Sequence, residues 1–207
     1  MSFASLVGQN KALTLLTRAV TSGRLAHAYL FAGPDGVGKH TAAHAMAAVL
    51  LCRNPTGMEP CGSCPGCRKV HSGNHPDLLL IRPEGAAIKI DQIRELKKAL
   101  TFAPFESRQR VVLIEDVHTM RREAGNSLLK LLEEPPPDNV LILIGSTNGP
   151  ILDTIVSRCQ VIPFAPLPLT LTAAVIGHHR PDLDQSGCLS LAALADGCPG
   201  QALALEA

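Results

Sequence analysis

The residues Gly33-Pro34-Asp35-Gly36-Val37-Gly38-Lys39-His40-Thr41 come one position short of the phosphate-binding pattern G-x-x-x-x-G-K-[ST]. Gly36 and Gly38 free the backbone to turn its N–H groups inward around phosphate oxygens, and a helix beginning near Lys39 adds its positive end. Lys39 would reach the outer phosphates. Magnesium is the difficulty, because it demands oxygen ligands. His40 stands where the pattern has Ser or Thr, and an imidazole is a poor substitute. Thr41 is one residue late and points about 100° further around a helix. The pattern therefore predicts the phosphate-loop fold, with Gly33, Gly36, Gly38, Lys39, His40 and Thr41 as a degenerate nucleotide cradle. The alternative is a tight strand-to-helix turn whose glycines only permit close packing.

Two further groups of residues carry chemistry. Glu115-Asp116 ends the apolar run "RVVLIED". A phosphate-loop ATPase places one acid there to hold magnesium and uses another polar group to orient the attacking water. An acidic strand end facing solvent is the plainer reading. Cys52, Cys61, Cys64 and Cys67 follow the spacing C-x8-C-x2-C-x2-C, and four thiolates can close a tetrahedral Zn²⁺ site. Iron–sulfur ligation or free thiols are the alternatives. Four protein ligands leave no open position, so a zinc here would be structural. His71 and His75 lie nearby and are read as bystanders.

The elements that must position these residues alternate. Residues 27–32, 77–82, 110–116, 140–148 and 159–164 are apolar runs that predict strands. Residues 9–22, 39–51, 90–100, 126–134 and 151–158 predict helices, the last one short. Strands alternating with helices predict an α/β fold with a mostly parallel sheet covered on both faces. Residues 52–68 form a Pro/Gly/Cys-rich insertion. Beyond Pro166-Leu167-Pro168 the texture turns to Ala/Leu-rich helix, so we divide the chain at residues 1–166 and 167–207, the second part a small all-α lid.

Bulk properties narrow the class. The hydrophobic fraction is 46%, with one Tyr and no Trp, so aliphatic side chains must fill the core. A net charge of +1 excludes a strong chain-wide basic footprint for nucleic acid. The opening "MSFASLVGQNKAL" lacks the pattern of a secretory signal, and "TAAHAMAAVLLC" is too short to span a bilayer. A cytoplasmic protein with no membrane contact is expected, and a cysteine cluster in that compartment favours metal over disulfides.

With these pieces placed, the chain resembles the bacterial DNA polymerase III clamp-loader subunits of the AAA+ family, in particular their delta-prime branch. The resemblance is carried by "GRLAHAYLFAGPDGVGKHT", the four-cysteine insertion, "HPDLLLI", "VVLIEDVHTM", "NSLLKLLEEPP", "STN", "TIVSRCQ" and "LAALADGCPGQALAL". It implies an AAA+ P-loop domain with a zinc insertion, then a lid. It also implies a stator-like subunit of the clamp loader, within the DNA-directed DNA polymerase III holoenzyme, a nucleotidyltransferase complex. Its partners would be gamma/tau-type and delta-type subunits and, through them, the sliding clamp and primed DNA.

The resemblance also assigns roles. Arg158 would be an arginine finger lent in trans to a neighbour's ATP. Asn148 would be the polar sensor, and Gln201 stands at the lid position where motors carry Arg. Glu115-Asp116 reverses the motor order Asp-Glu. His40, Gln201 and that reversal imply an ATP/Mg²⁺ site that is weak or lost, and zinc as the structural cofactor. The family's third, collar domain has no counterpart here on this reading, so the chain alone is expected to be monomeric. Two other functions stay in view: an active gamma/tau-type motor ATPase, and a zinc-bearing nucleic-acid-binding module with a degenerate P-loop.

Overall fold

A computed structural model describes residues 2–147 and 149–204. Its centre is a five-stranded sheet: β1 (Ala28–Gly33), β2 (Leu78–Ile81), β3 (Arg110–Ile114), β4 (Asn139–Ser146) and β5 (Gln160–Pro163). The strand order is β2-β3-β4-β1-β5, and every pairing is parallel. Parallel neighbours require crossovers, which helices supply. These are α2 (Lys39–Leu50), α3 (Pro65–His71), α4 (Ile90–Leu100), α5 (Arg122–Glu133) and α6 (Asp153–Val156), preceded by α1 (Asn10–Thr21).

Strand side chains alternate between faces, so each central strand feeds two cores. Tyr29, Phe31, Val111, Leu113, Ile142 and Ile144 pack with α1 and α2. Leu30, Val112, Ile114, Leu141 and Leu143 pack with α4, α5 and α6. Helix α4 shows how sequence selects its buried stripe: Ile93, Leu96 and Leu100 are buried, while Lys97 and Lys98 lie in its last turn, next to the negative end of the helix dipole.

The insertion is more ordered than its composition predicts. It contains α3, which begins with Pro65 at its first position and is capped by Cys64, whose sulfur accepts from the Cys67 N–H. Proline fits there because that N–H is unpaired in any helix. Helix α5 begins at Arg122, a turn before the apolar spacing becomes visible, and β2 is limited to Leu78–Ile81. After β5 come α7 (Leu169–His179), α8 (Gln185–Leu194) and α9 (Pro199–Ala204), which gather a small core of Ile176, Cys188, Ala192, Ala195 and Ala202.

One buried carboxylate organises the sheet edge. Asp77 is fully buried and accepts from the backbone N–H groups of Phe105, Glu106 and Ser107 at 2.5, 2.9 and 2.8 Å. Arg110 donates to the carbonyls of Ala99, Phe102 and Ala103, closing the same loop from the other side. Burial works to raise the Asp77 pKa, but the three N–H donors and Arg110 outweigh it and hold the carboxyl below its ordinary value. Asp77→Ala should cost about 3–5 kcal/mol, since it leaves three backbone donors without their acceptor and removes the carboxylate that stands 3.9 Å from the buried Arg110 guanidinium. A denaturant melt checks this. The sign of its pH dependence follows from the depressed pKa. The Asp77 contribution is complete above the unfolded carboxyl pKa and is lost as pH falls through the lower folded value. The wild type should therefore lose more stability on acidification than the variant.

Candidate nucleotide and metal sites

The phosphate loop sits at the C-terminal end of β1, the edge where parallel sheets bind ligands. Gly36 and Gly38 have φ of 81° and 101°, the left-handed region that side chains avoid. A Cβ on Gly36 would lie 2.7 Å from the Gln201 backbone nitrogen, so the start of α9 rests directly on the loop. The Gly200 N–H donates to the Gly36 carbonyl at 2.9 Å, and the Gln201 side chain donates to the Asp35 carbonyl at 3.1 Å. The start of α9 and the loop are thus in direct contact.

Lys39 does not point into an open cradle. It is 2% exposed, and its ammonium donates to the Gly33 carbonyl (2.7 Å), the Pro34 carbonyl (2.6 Å) and Asp35 Oδ1 (3.2 Å). An ammonium has three protons, and all three are used within the loop. Burial pulls the Lys39 pKa down, with Asp35 opposing it. Asp35 Oδ2 in turn accepts from the Ser146 hydroxyl at 2.7 Å, and Ser146 pairs in register with Gly33 across β4 and β1. Burial would raise the Asp35 pKa, yet Ser146 and Lys39 together hold it low. The cavity over the loop, bordered by Leu6, Val7, Leu167 and Val175, measures about 210 Å³. Small-molecule sites usually run to about 300–1,000 Å³.

The magnesium side is also occupied by protein groups. Glu115, at the end of β3, is 7% exposed. Arg82 Nε donates to its Oε2 at 2.9 Å, while His40 Nδ1 and His44 Nε2 lie 3.5 and 3.6 Å from its Oε1. Burial would raise the Glu115 pKa, but Arg82 and His40 hold it below the usual range. Burial lowers the His44 pKa, with Glu115 opposing. Asp116 follows in a left-handed conformation (φ 51°) and opens a short 3-10 turn at Val117–Thr119. Thr41 is exposed on the first turn of α2. Asn148 lies outside the described residues.

Sequence reasoning missed Asp35, His44, Arg82 and Ser146. His44 carried a signal, four residues after His40 on one helical face. Asp35 and Arg82 occupy positions that no motif specifies.

Arg158, just after α6, donates to the Thr154 carbonyl at 3.0 Å and pairs with Glu133 Oε1 of α5 at 2.7 Å. Its neighbour Cys159 is a thiol pushed up to about 12 by burial.

The four cysteines converge, with all four sulfurs within 4.8 Å of one another. Cys61 Sγ and Cys67 Sγ stand 3.9 Å apart. Two sulfurs each about 2.3 Å from a tetrahedral ion are about 3.8 Å apart, so the set fits a zinc-sized ion. Cys52 comes from just past the end of α2, Cys61 and Cys64 from the loop, and Cys67 from α3. The Cys61 N–H donates to Cys52 Sγ at 3.2 Å, the kind of second-shell bond that steadies a thiolate. Backbone N–H groups of Ser63 and Cys64 bring the Cys61 thiol down to about 6, whereas burial pushes Cys67 up to about 12. A cluster of this kind favours a cation that can hold all four as thiolates.

The parallel sheet, the glycine loop at β1 and the helical lid resting on it define an AAA+ P-loop fold. The RuvB Holliday junction branch migration motor of Thermotoga maritima superposes with a TM-score of 0.65 at 17% identity, over 99% of this chain and 62% of that one. At the sequence level, the family profile described as DNA polymerase III, delta subunit, matches residues 8–168, and the chain belongs to that family. DNA polymerase III subunit delta' of Bacillus subtilis (strain 168) is 43% identical over 77% of this chain and 48% of its own length. DNA polymerase III subunit tau of Escherichia coli (strain K12) is 40% identical over 76% of this chain and 24% of its own length. The chain thus spans about half the length of its delta' relative and a quarter of the tau relative. No described helix is long and apolar enough to cross a membrane.

Proposed function

We propose that this chain is the AAA+ and lid portion of a delta-prime-like stator. It would support ATP-driven loading of a sliding clamp onto primed DNA without itself turning over ATP at a useful rate. The observation that carries this reading is Lys39, whose three protons are all bound by Gly33, Pro34 and Asp35. Phosphate would have to displace a buried, satisfied network before gaining the lysine. His40 in place of a hydroxyl and Gln201 in place of an arginine weaken the remaining contacts. In this reading gamma/tau-type and delta-type subunits are the direct partners, Arg158 serves a neighbour's ATP, Asn148 is the sensor residue, and zinc fills the four-cysteine site. Residues 1–166 and 167–207 act as the P-loop domain and its lid.

The motor reading is favoured by one observation, the similarity to tau at 40% identity beside 43% to delta'. Calorimetric titration of Mg-ATP decides between them. The stator reading expects no binding heat from the wild type and measurable binding from the double variant Asp35→Ala, His40→Thr, which frees one of the three Lys39 protons and restores a hydroxyl. Micromolar binding with turnover by the wild type would sink the stator reading and establish the motor.

A further inference from the structure

Glu115 Oε1 is buried and has no hydrogen-bond partner among the described residues, although its sister oxygen is held by Arg82. A buried, charged acceptor without a partner is costly, and such atoms call for an explanation. The groups nearest to it are two imidazoles, His40 Nδ1 at 3.5 Å and His44 Nε2 at 3.6 Å. These two histidines stand four apart on α2, the spacing that places two imidazoles over one face of a helix and recurs in zinc sites. Two donors that share a tetrahedral ion, each about 2.1 Å from it, are about 3.4 Å apart. The observed separations of 3.5 and 3.6 Å exceed that only slightly.

We propose that His40, His44 and Glu115 form a binding site for a borderline divalent transition ion, such as Zn²⁺ or Ni²⁺, where an active P-loop ATPase holds magnesium. The chemistry of the donor set supports the choice. Two nitrogens and one carboxylate oxygen suit zinc, nickel or copper, whereas magnesium requires oxygens throughout. Arg82 orients the carboxylate from its far side, the role that second-shell partners play at metal centres. The three donors are not gathered as tightly as the four thiols. Closing the set requires a turn of the His40 ring, which has room because that side chain is 47% exposed. The same exposure gives an ion its entry path. Three protein ligands leave one position open, unlike the closed four-cysteine set. This inference does not rest on the stator reading, since it concerns the metal donors and not ATP turnover.

The test uses the whole chain with its cysteine site saturated with zinc and excess metal removed. Ni²⁺ is titrated by calorimetry into the wild type, His40→Ala and Glu115→Gln, with the melting temperature of each recorded. One further equivalent is expected in the wild type, unaffected by millimolar Mg²⁺. Each variant should weaken that equivalent by more than about 10-fold, the lower bound set by the loss of even an indirect metal contact. Absence of a further equivalent, or an equivalent that both variants retain, overturns the proposal. If Glu115→Gln fails to fold, His40→Ala decides alone, because its half-exposed side chain is not part of the core.

Discussion

Arg158→Ala, placed in this chain and assembled with the motor subunits that the proposed function gives it, is expected to lower ATP turnover at the neighbouring site by about 10³–10⁵-fold. The size follows from what a guanidinium does for a phosphoryl transition state: it supplies a permanent charge and a planar fork of donors. In this chain the group sits in a partly exposed ion pair. Its ion pair to Glu133 measures 2.7 Å, but the Arg158 and Glu133 side chains are 35% and 47% exposed. An exposed pair of this kind contributes at most about 1 kcal/mol, so the arginine can leave it for a neighbour's phosphate at little cost. For the same reason the alanine variant should stay folded, with stability changed by no more than about 1 kcal/mol. Arg158→Lys should fail to restore turnover, because an ammonium lacks the fork. Single-turnover ATP hydrolysis in the reconstituted complex makes the measurement; a wild-type rate from the alanine variant would refute the finger role.

Removal of the metal from the cysteine knot should have the largest effect on stability. Zinc supplies about 10–16 kcal/mol of apparent binding energy in small zinc-dependent peptides. The insertion has little apolar core of its own: Cys52 and Cys67 are its buried side chains, with Val70 of α3 just beyond it. Val70 nonetheless belongs to the main core beside Leu51, and a Cβ on Gly66 would lie 2.5 Å from the Leu51 carbonyl. The knot therefore seals the C-terminal end of α2. Cys64→Ser removes one of the four thiols while its hydroxyl can still accept from the Cys67 N–H at the start of α3, so the change tests the metal and not the cap. We expect metal content to fall below one equivalent and amide exchange across residues 52–71 to accelerate by several orders of magnitude. The sheet centre should remain protected, since β1, β3 and β4 are buried on both faces. Equal protection with and without metal would show that the knot folds by packing alone.

Much of this was legible in the sequence because it depends on local pattern. The strands β1, β3 and β4 are apolar runs ending at turn residues, and α4 shows its buried stripe at helical spacing. The phosphate loop and the C-x2-C-x2-C run are contiguous, so their geometry is largely set by neighbours in the chain. Helix α3 was hidden because proline and glycine read as irregular structure, although Pro65 after a capping Cys64 marks a helix start. Other features arise only when distant segments meet. Asp35 and Ser146 are 111 positions apart, and their bond forms because β4 lies beside β1. The ring of His40, His44 and Arg82 around Glu115 joins a helix and two strand ends. From sequence alone, His40 reads as a lost magnesium ligand. The fold adds that Lys39 is consumed by its own loop and that Glu115 faces two imidazoles. Both results follow from burial: a charge removed from water must find partners, and the tertiary structure determines which are near enough.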